Sequence, residues 1–160
     1  MTPGTYILLL RLPRETTVQI GRLGPHRFDT GYYAYAGSAL SGLEGRIGRH
    51  LRSEKAMRWH IDYLREVTTV QGVWVLQGAE RRECSLAAEL LRMPGAHPGP
   101  RGFGSSDCRC RTHLVHFPDW PPMDSIEQRW GLRRMPILPS ASANRARASA
   151  GRRAGRGYLS

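Results

Sequence analysis

The stretch that most constrains this chain is residues 31–52, GYYAYAGSALSGLEGRIGRHLR. A strand here carries aromatic hydroxyls into a glycine-bounded bend, and a basic helix leaves the bend. Tyr33 and Tyr35 stand two apart, so a strand over residues 31–37 sends both to one face. Gly37-Ser38 breaks the alternation, and Ser38 or Ser41 is placed to cap a helix that follows. Leu43, Ile47 and Leu51 then recur every four residues, the mark of a helical stripe. At about 100° per residue, Arg46 and His50 fall beside that stripe, while Arg49 and Arg52 point away. One turn apart and leaning toward the body, Arg46 and His50 can share a site with the strand tyrosines. That is more polar chemistry than a packing surface needs.

The flanking segments supply a core. Residues 6–12 (YILLLRL) form an apolar run too short for a typical helix and ended by Pro13, which reads as a buried strand. Residues 16–20 read as a second strand, 21–30 as a loop, 60–66 as a short helix with Ile61 and Leu64 inward, and 70–76 as a strand. Residues 82–93 read as a helix with Leu86, Leu90 and Leu91 on one side, stopped by Pro94-Gly95. A glycine- and proline-rich loop over 94–106 leads to a closing strand at 112–117. Strands interleaved with helices predict an α/β or α+β fold. The expected organisation is one domain over residues 1–118, an irregular Pro-rich extension over 119–139, and a disordered Arg/Ala/Ser/Gly tail over 140–160.

Charge narrows the partners. Among 160 residues, 24 Lys plus Arg oppose 13 Asp plus Glu, a net +11, and every base except Lys55 is arginine. Arginine forks onto phosphate in two-point geometry, so nucleic acid is the expected partner. Arginine-rich codon usage is the plainer alternative. Three cysteines, two of them one residue apart, do not make a disulfide framework, and reduced thiols in a cytoplasmic protein are expected. No apolar run reaches the length of a membrane span, and no export-signal pattern opens the sequence.

Glu83 is the most informative acid. On a helix it shares the face of Leu86, Ala87 and Leu90, so its carboxylate points toward the body. A first-turn glutamate favoured by the helix dipole is the bland reading. An inward carboxylate beside tyrosines, an arginine and a histidine is, however, what metal-assisted phosphodiester hydrolysis uses. Cys108-x-Cys110 with His113 and His116 offers zinc donors. A one-residue gap is atypical for zinc, and strand alternation should scatter the four, so a structural zinc is not expected. Gly102–Asp107 reads as a turn before a phosphate cradle, and Trp59 and Trp74 as core or rim.

The half-motifs Gly4-Thr5-Tyr6 and Tyr35-Ala36-Gly37 resemble those of the GIY-YIG nucleases. Arg46 follows Tyr35 at nearly the interval of that family's arginine, His50 matches its His/Tyr position, and Glu83 resembles its metal-binding glutamate. The likeness is greatest to the small Uri-type branch. GYYAYAGSA at 31–39, RWHIDYL at 58–64, ECSLA at 83–87 and GFGSSDCRCRTHL at 102–114 resemble that branch's segments in order, across about residues 4–118. The resemblance implies a mostly antiparallel three-stranded sheet flanked by helices, with Tyr6 and Tyr35 on neighbouring strands. It implies one Mg²⁺ or Mn²⁺ on Glu83, and an endonuclease acting on DNA or structured nucleic acid through Tyr6, Tyr35, Arg46, His50 and Glu83. Ser38, Arg49, Arg58 and His60 are the candidate nucleic-acid contacts, His60 alternatively capping its helix. Thr5 and Ala36 depart from the usual isoleucines, and the half-motifs lie further apart than the family's pattern. A binding module that keeps this scaffold without turnover is the alternative.

Overall fold

The computed structural model describes residues 2–53 and 55–137. The tail expected over 140–160 lies outside the described residues. Strand β1 (Gly4–Leu12) is the centre of the fold. It pairs antiparallel on one side with β4 (Gly31–Ala39) and on the other with β5 (Thr69–Gln77). Elements pack on both faces of β1, which is why residues 6–12 read as a near-continuous apolar run instead of alternating.

Among the described residues the sheet has six strands, not three. β6 (His97–Pro98) and β7 (Leu114–Phe117) extend it beyond β4, and β8 (Arg133–Met135) extends it beyond β5, giving the order β6-β7-β4-β1-β5-β8. All its pairings are antiparallel. Residues 21–30, expected as a loop, contain another strand. β2 (Thr16–Ile20) turns through a 3₁₀ turn, Gly21–Leu23, into β3 (Gly24–Phe28), a separate hairpin. Gly24-Pro25 reads as loop chemistry, yet Pro25 is tolerated because a two-stranded ribbon leaves one edge unpaired.

Among the described residues four helices cover the sheet: α1 (Leu43–Leu51), α2 (His60–Arg65), α3 (Glu83–Leu91) and α4 (Met123–Trp130). Neither Ser38 nor Ser41 caps α1; its N-cap is Gly42, without a side-chain bond. At the other end Lys55 Nζ reaches the carbonyls of Arg49 (3.1 Å), His50 (3.3 Å) and Arg52 (2.9 Å), so a cation closes the negative helix terminus. The extension expected to be irregular is ordered over α4 and β8. Met123 and Ile126, three apart, are buried, and Gly131 ends the helix at φ 68°, the left-handed C-cap. The Pro121-Pro122 pair that suggested irregularity only precedes the helix. None of the described helices is long and apolar enough to cross a membrane.

Alternation along β1 and β4 divides the core. Tyr6, Leu8, Leu10, Tyr33 and Tyr35 join Leu43, Ile47, Ile61, Leu64 and Phe103 on one face. Ile7, Leu9, Ala34 and Ala36 join Trp74, Leu86, Leu90 and Ile126 on the other.

Candidate active site

Tyr6 and Tyr35 meet although they are not direct partners across the ladder. Tyr6 pairs with Gly37 and Tyr35 with Leu8, and the two rings lie 6.5 Å apart. Gly37 makes room for this. A Cβ there would stand 2.5 Å from the Tyr6 hydroxyl oxygen, so a side chain would displace the phenol. Gly104 does the same for Tyr35: its φ of 69° and a Cβ position 2.7 Å from the Tyr35 ring both demand glycine.

Helix α1 brings two groups to these tyrosines. His50 is buried behind Tyr6, with Nε2 2.6 Å from the phenol oxygen. Burial first, then the charge of Lys55, pulls its pKa down to about 3, so the imidazole is neutral at neutral pH. Arg46 donates from Nη1 to the Ser38 carbonyl (2.8 Å) and lies over the Trp59 ring at 4.3 Å. Burial raises the pKa of both tyrosines above the ordinary range, and the Arg46 charge offsets this only in part. Both are phenols at neutral pH.

Glu83 arrives from α3, which packs on the opposite face of the sheet. The seat is Thr5, whose Oγ1 accepts the Arg82 N–H (3.3 Å) and fixes the helix N-terminus against β1. The carboxylate is nearly buried, with Arg81 Nε at 3.5 Å; the same guanidinium reaches Asp107 at 3.6 Å. Tyr6, Tyr35, Arg46 and Glu83 all line one cavity of about 770 Å³. The convergence expected from the sequence therefore exists for these four, and His50 stands directly behind Tyr6.

The expected nucleic-acid contacts divide. Ser38, Arg58 and His60 line the same cavity. His60 does not cap α2, whose N-cap is Trp59; its Nδ1 accepts the Gly104 N–H (2.9 Å) and so holds the glycine loop in place. Arg49 neither points away nor lines the cavity. It pairs with Asp62, which is fully buried and also accepts the Arg58 and Trp59 N–H groups at 2.9 Å. Asp62 at the third helical position explains this: it caps α2 and needs a cation once buried. Sequence reasoning missed Arg81, which belongs to no motif weighed there, and read Asp107 only as the end of the Gly102–Asp107 turn; both lie on the cavity wall. Trp59, taken for core or rim, is a half-buried ring with Arg46, Arg49 and Arg58 guanidiniums 4.3–5.6 Å from its centre.

The cysteines differ most from expectation. Cys84, Cys108, Cys110 and His113 place their ligand atoms within 4.8 Å of one another. The donors are not scattered, because Cys108 and Cys110 lie in a loop and not on a strand. His116 is not among them; its Nε2 lies 3.0 Å from the Thr30 carbonyl, and Cys84 from α3 takes the fourth place. Burial, then hydrogen bonds with Cys110 and Cys108, pushes the Cys84 thiol up to about 12.

A mixed α+β domain whose central strands and two helices converge on one polar, arginine-bearing cavity is thus defined. Residues 5–131 match the family described as domain of unknown function DUF123, and the chain belongs to that family. No curated protein and no solved structure matches it.

Proposed function

We propose that this protein is a divalent-metal-dependent endonuclease of GIY-YIG type, of the Uri branch, that hydrolyses phosphodiester bonds in DNA or structured nucleic acid. The observation that carries the reading is the cavity itself, where Arg46, two phenols and an inward carboxylate meet on a wall framed by Ser38, Arg58 and His60. The donor chemistry fits one hard cation. Glu83 presents carboxylate oxygens to a space of several water volumes, which suits an ion that binds through one carboxylate and keeps most of its waters. Bound on Glu83, Mg²⁺ or Mn²⁺ would polarise the phosphorus–oxygen bonds.

The chain's own groups supply the rest. Arg46, held by the Ser38 carbonyl and Trp59, neutralises charge that develops on the phosphate. The Tyr6 phenol orients the attacking water. As that water loses its proton to the Tyr6 oxygen, the phenol's own proton passes to the neutral His50 Nε2, 2.6 Å away. Negative charge growing in the cavity makes His50 a stronger acceptor at that moment. Tyr35 holds the other side of the water site.

The test is nicking of supercoiled plasmid by the purified full chain with Mg²⁺ or Mn²⁺. Glu83→Gln and Arg46→Ala should each lower the rate by about 10²–10³-fold while circular dichroism stays unchanged. Nicking that survives both substitutions defeats these roles. A second reading, a binding module without turnover, draws on the arginine-flanked Trp59 and on phenols held protonated by burial. Salt-dependent binding with no cleavage of duplex, single-stranded, flapped or branched substrates decides for it.

A further inference from the structure

We propose that Cys84, Cys108, Cys110 and His113 form a structural zinc site that clamps the loop over residues 99–113 onto the N-terminus of α3. The assignment stands apart from the nuclease reading, because it rests on donor geometry and donor chemistry alone.

Geometry comes first. His113 Nε2 lies 3.6 Å from Cys84 Sγ and 3.5 Å from Cys108 Sγ, and all four ligand atoms fall within 4.8 Å of one another. A tetrahedral zinc with bonds of about 2.3 Å to sulfur and about 2.0–2.1 Å to nitrogen requires S···N separations of about 3.6 Å and S···S separations of about 3.8 Å. The two S···N distances match that requirement, and every other pair of donors lies within 4.8 Å. These four side chains come from two segments, with Cys84 in the first turn of α3 and the others at the far end of a loop.

Chemistry selects the ion. Three sulfurs and one imidazole suit a borderline-soft cation, and four protein donors leave no open position, as in structural zinc sites and unlike catalytic ones. Glu83, the neighbouring residue, offers only oxygen. Adjacent positions on one helix therefore present a soft site and a hard site, and the two metals sort themselves by ligand type.

The loop also needs a clamp. Residues 99–113 contain no helix or strand, and Gly102 and Gly104 sit at φ 87° and 69°. Its backbone is held by turn bonds, such as Gly102 N–H to the Arg111 carbonyl and Cys108 N–H to the Ser105 carbonyl, and by the Gly104 N–H to His60 Nδ1, with Phe103 buried beneath; none of these holds residues 106–111 to α3. Ser106 and Asp107, which line the cavity, ride on this loop. A zinc ion joining Cys108 and Cys110 to Cys84 ties that wall of the cavity to the helix that carries Glu83.

The experiment is metal analysis of the full chain, expressed with its tail, kept reduced and purified without chelator. One zinc per chain is expected, and cobalt substitution of the wild type should give the thiolate charge-transfer and tetrahedral d–d bands of an S₃N site. Stripping with a chelator should lower the melting temperature, with recovery on adding Zn²⁺ and none with Mg²⁺. Cys84→Ser and Cys110→Ser should lose the zinc, while His116→Ala keeps it. Zinc far below stoichiometric together with a featureless cobalt spectrum overturns the proposal. So does zinc retained in both serine variants, or a disulfide found among these thiols in the reduced preparation. If the serine variants do not fold, the wild-type cobalt spectrum decides alone. Because metal content and spectra are read without substrate, a failed zinc site and a failed nuclease give different results.

Discussion

The two faces of the sheet are built from alternate residues of the same strands, yet they do different work. Ile7, Leu9, Ala34 and Ala36 look onto α3 and α4, and that face is filled by Trp74, Leu86, Leu90, Met123 and Ile126. Tyr6, Leu8, Tyr33 and Tyr35 look onto α1 and α2, where His50 and Asp62 are buried as well. The first face closes by apolar contact, which is non-directional and tolerant of repacking. The second closes through directed contacts: His50 with Tyr6, Asp62 Oδ2 with Arg49 and two N–H groups, the terminal carbonyls of α1 with Lys55. Among the described residues His50 Nδ1 and Asp62 Oδ1 stay buried without a hydrogen-bond partner. Apolar and polar packing are thereby separated across one strand's thickness, and the cavity is lined from the polar face. Glu83 is the exception that joins them, since α3 belongs to the apolar face and only its first turn reaches the cavity.

The sharpest way to break this contrast is to damage one face and read the other. Leu90 is fully buried between α3 and the sheet. Leu90→Ala should cost about 2–5 kcal/mol in denaturant unfolding, while the fraction that remains folded nicks plasmid at the wild-type rate. Arg46→Ala should do the reverse, with stability lowered by about 1 kcal/mol and nicking lost. Equal destabilisation by the two variants would mean that the cavity wall is ordinary core, and the division of labour would fall.

A titration probes the polar face next. His50 is held at about 3 in the fold against 6.5 for an exposed imidazole. A base whose folded pKa is depressed contributes stability that is fully present above 6.5 and is lost as pH falls toward 3. Unfolding free energy should therefore drop by on the order of 1 kcal/mol per pH unit below about 6, and His50→Gln should flatten that slope. An unchanged slope in the variant would show that the imidazole is solvated in the fold, against its place behind Tyr6.

How much of this was legible follows the same division. Apolar periodicity located β1, β4, β5 and all of α1 and α3, because burial is written into hydrophobic spacing. It also put Arg46, His50 and Glu83 on inward faces. What it missed was set by partners distant in the chain. Arg49 lies opposite the apolar stripe of α1, so spacing sent it to solvent; the buried carboxylate of Asp62, thirteen residues on, turns it inward. For Cys108, Cys110 and His113 the sequence offers His116 as the fourth donor and strand alternation argues against the set; Cys84 takes that place because α3 packs against the loop, and no rule of local spacing reaches from residue 108 back to 84. The loop expected over 21–30 and the irregular extension expected over 119–139 contain strands and a helix, because tertiary pairing and a buried Met123/Ile126 pair prevail over local preference.

The smallest expected effect is the most specific. Trp59 stands at the rim of the cavity between α1 and α2, with Arg46 at 4.3 Å and Arg49 at 4.6 Å from its ring. These guanidiniums lie over the ring, and an unpaired base can stack on the aromatic–guanidinium layer they form, an interaction worth about 1–3 kcal/mol. Trp59→Ala should weaken binding of a labelled single-stranded oligonucleotide, measured without divalent metal, by about tenfold. The dependence of that affinity on salt should stay unchanged, because the ring carries no charge. Arg58→Ala should show the complementary pattern: a similar loss at low salt, and a salt slope smaller by about one released ion. If Trp59→Ala instead lowers stability and leaves binding intact, the indole is a post that spaces the two helices, and the polar face has its chemistry in the cavity alone.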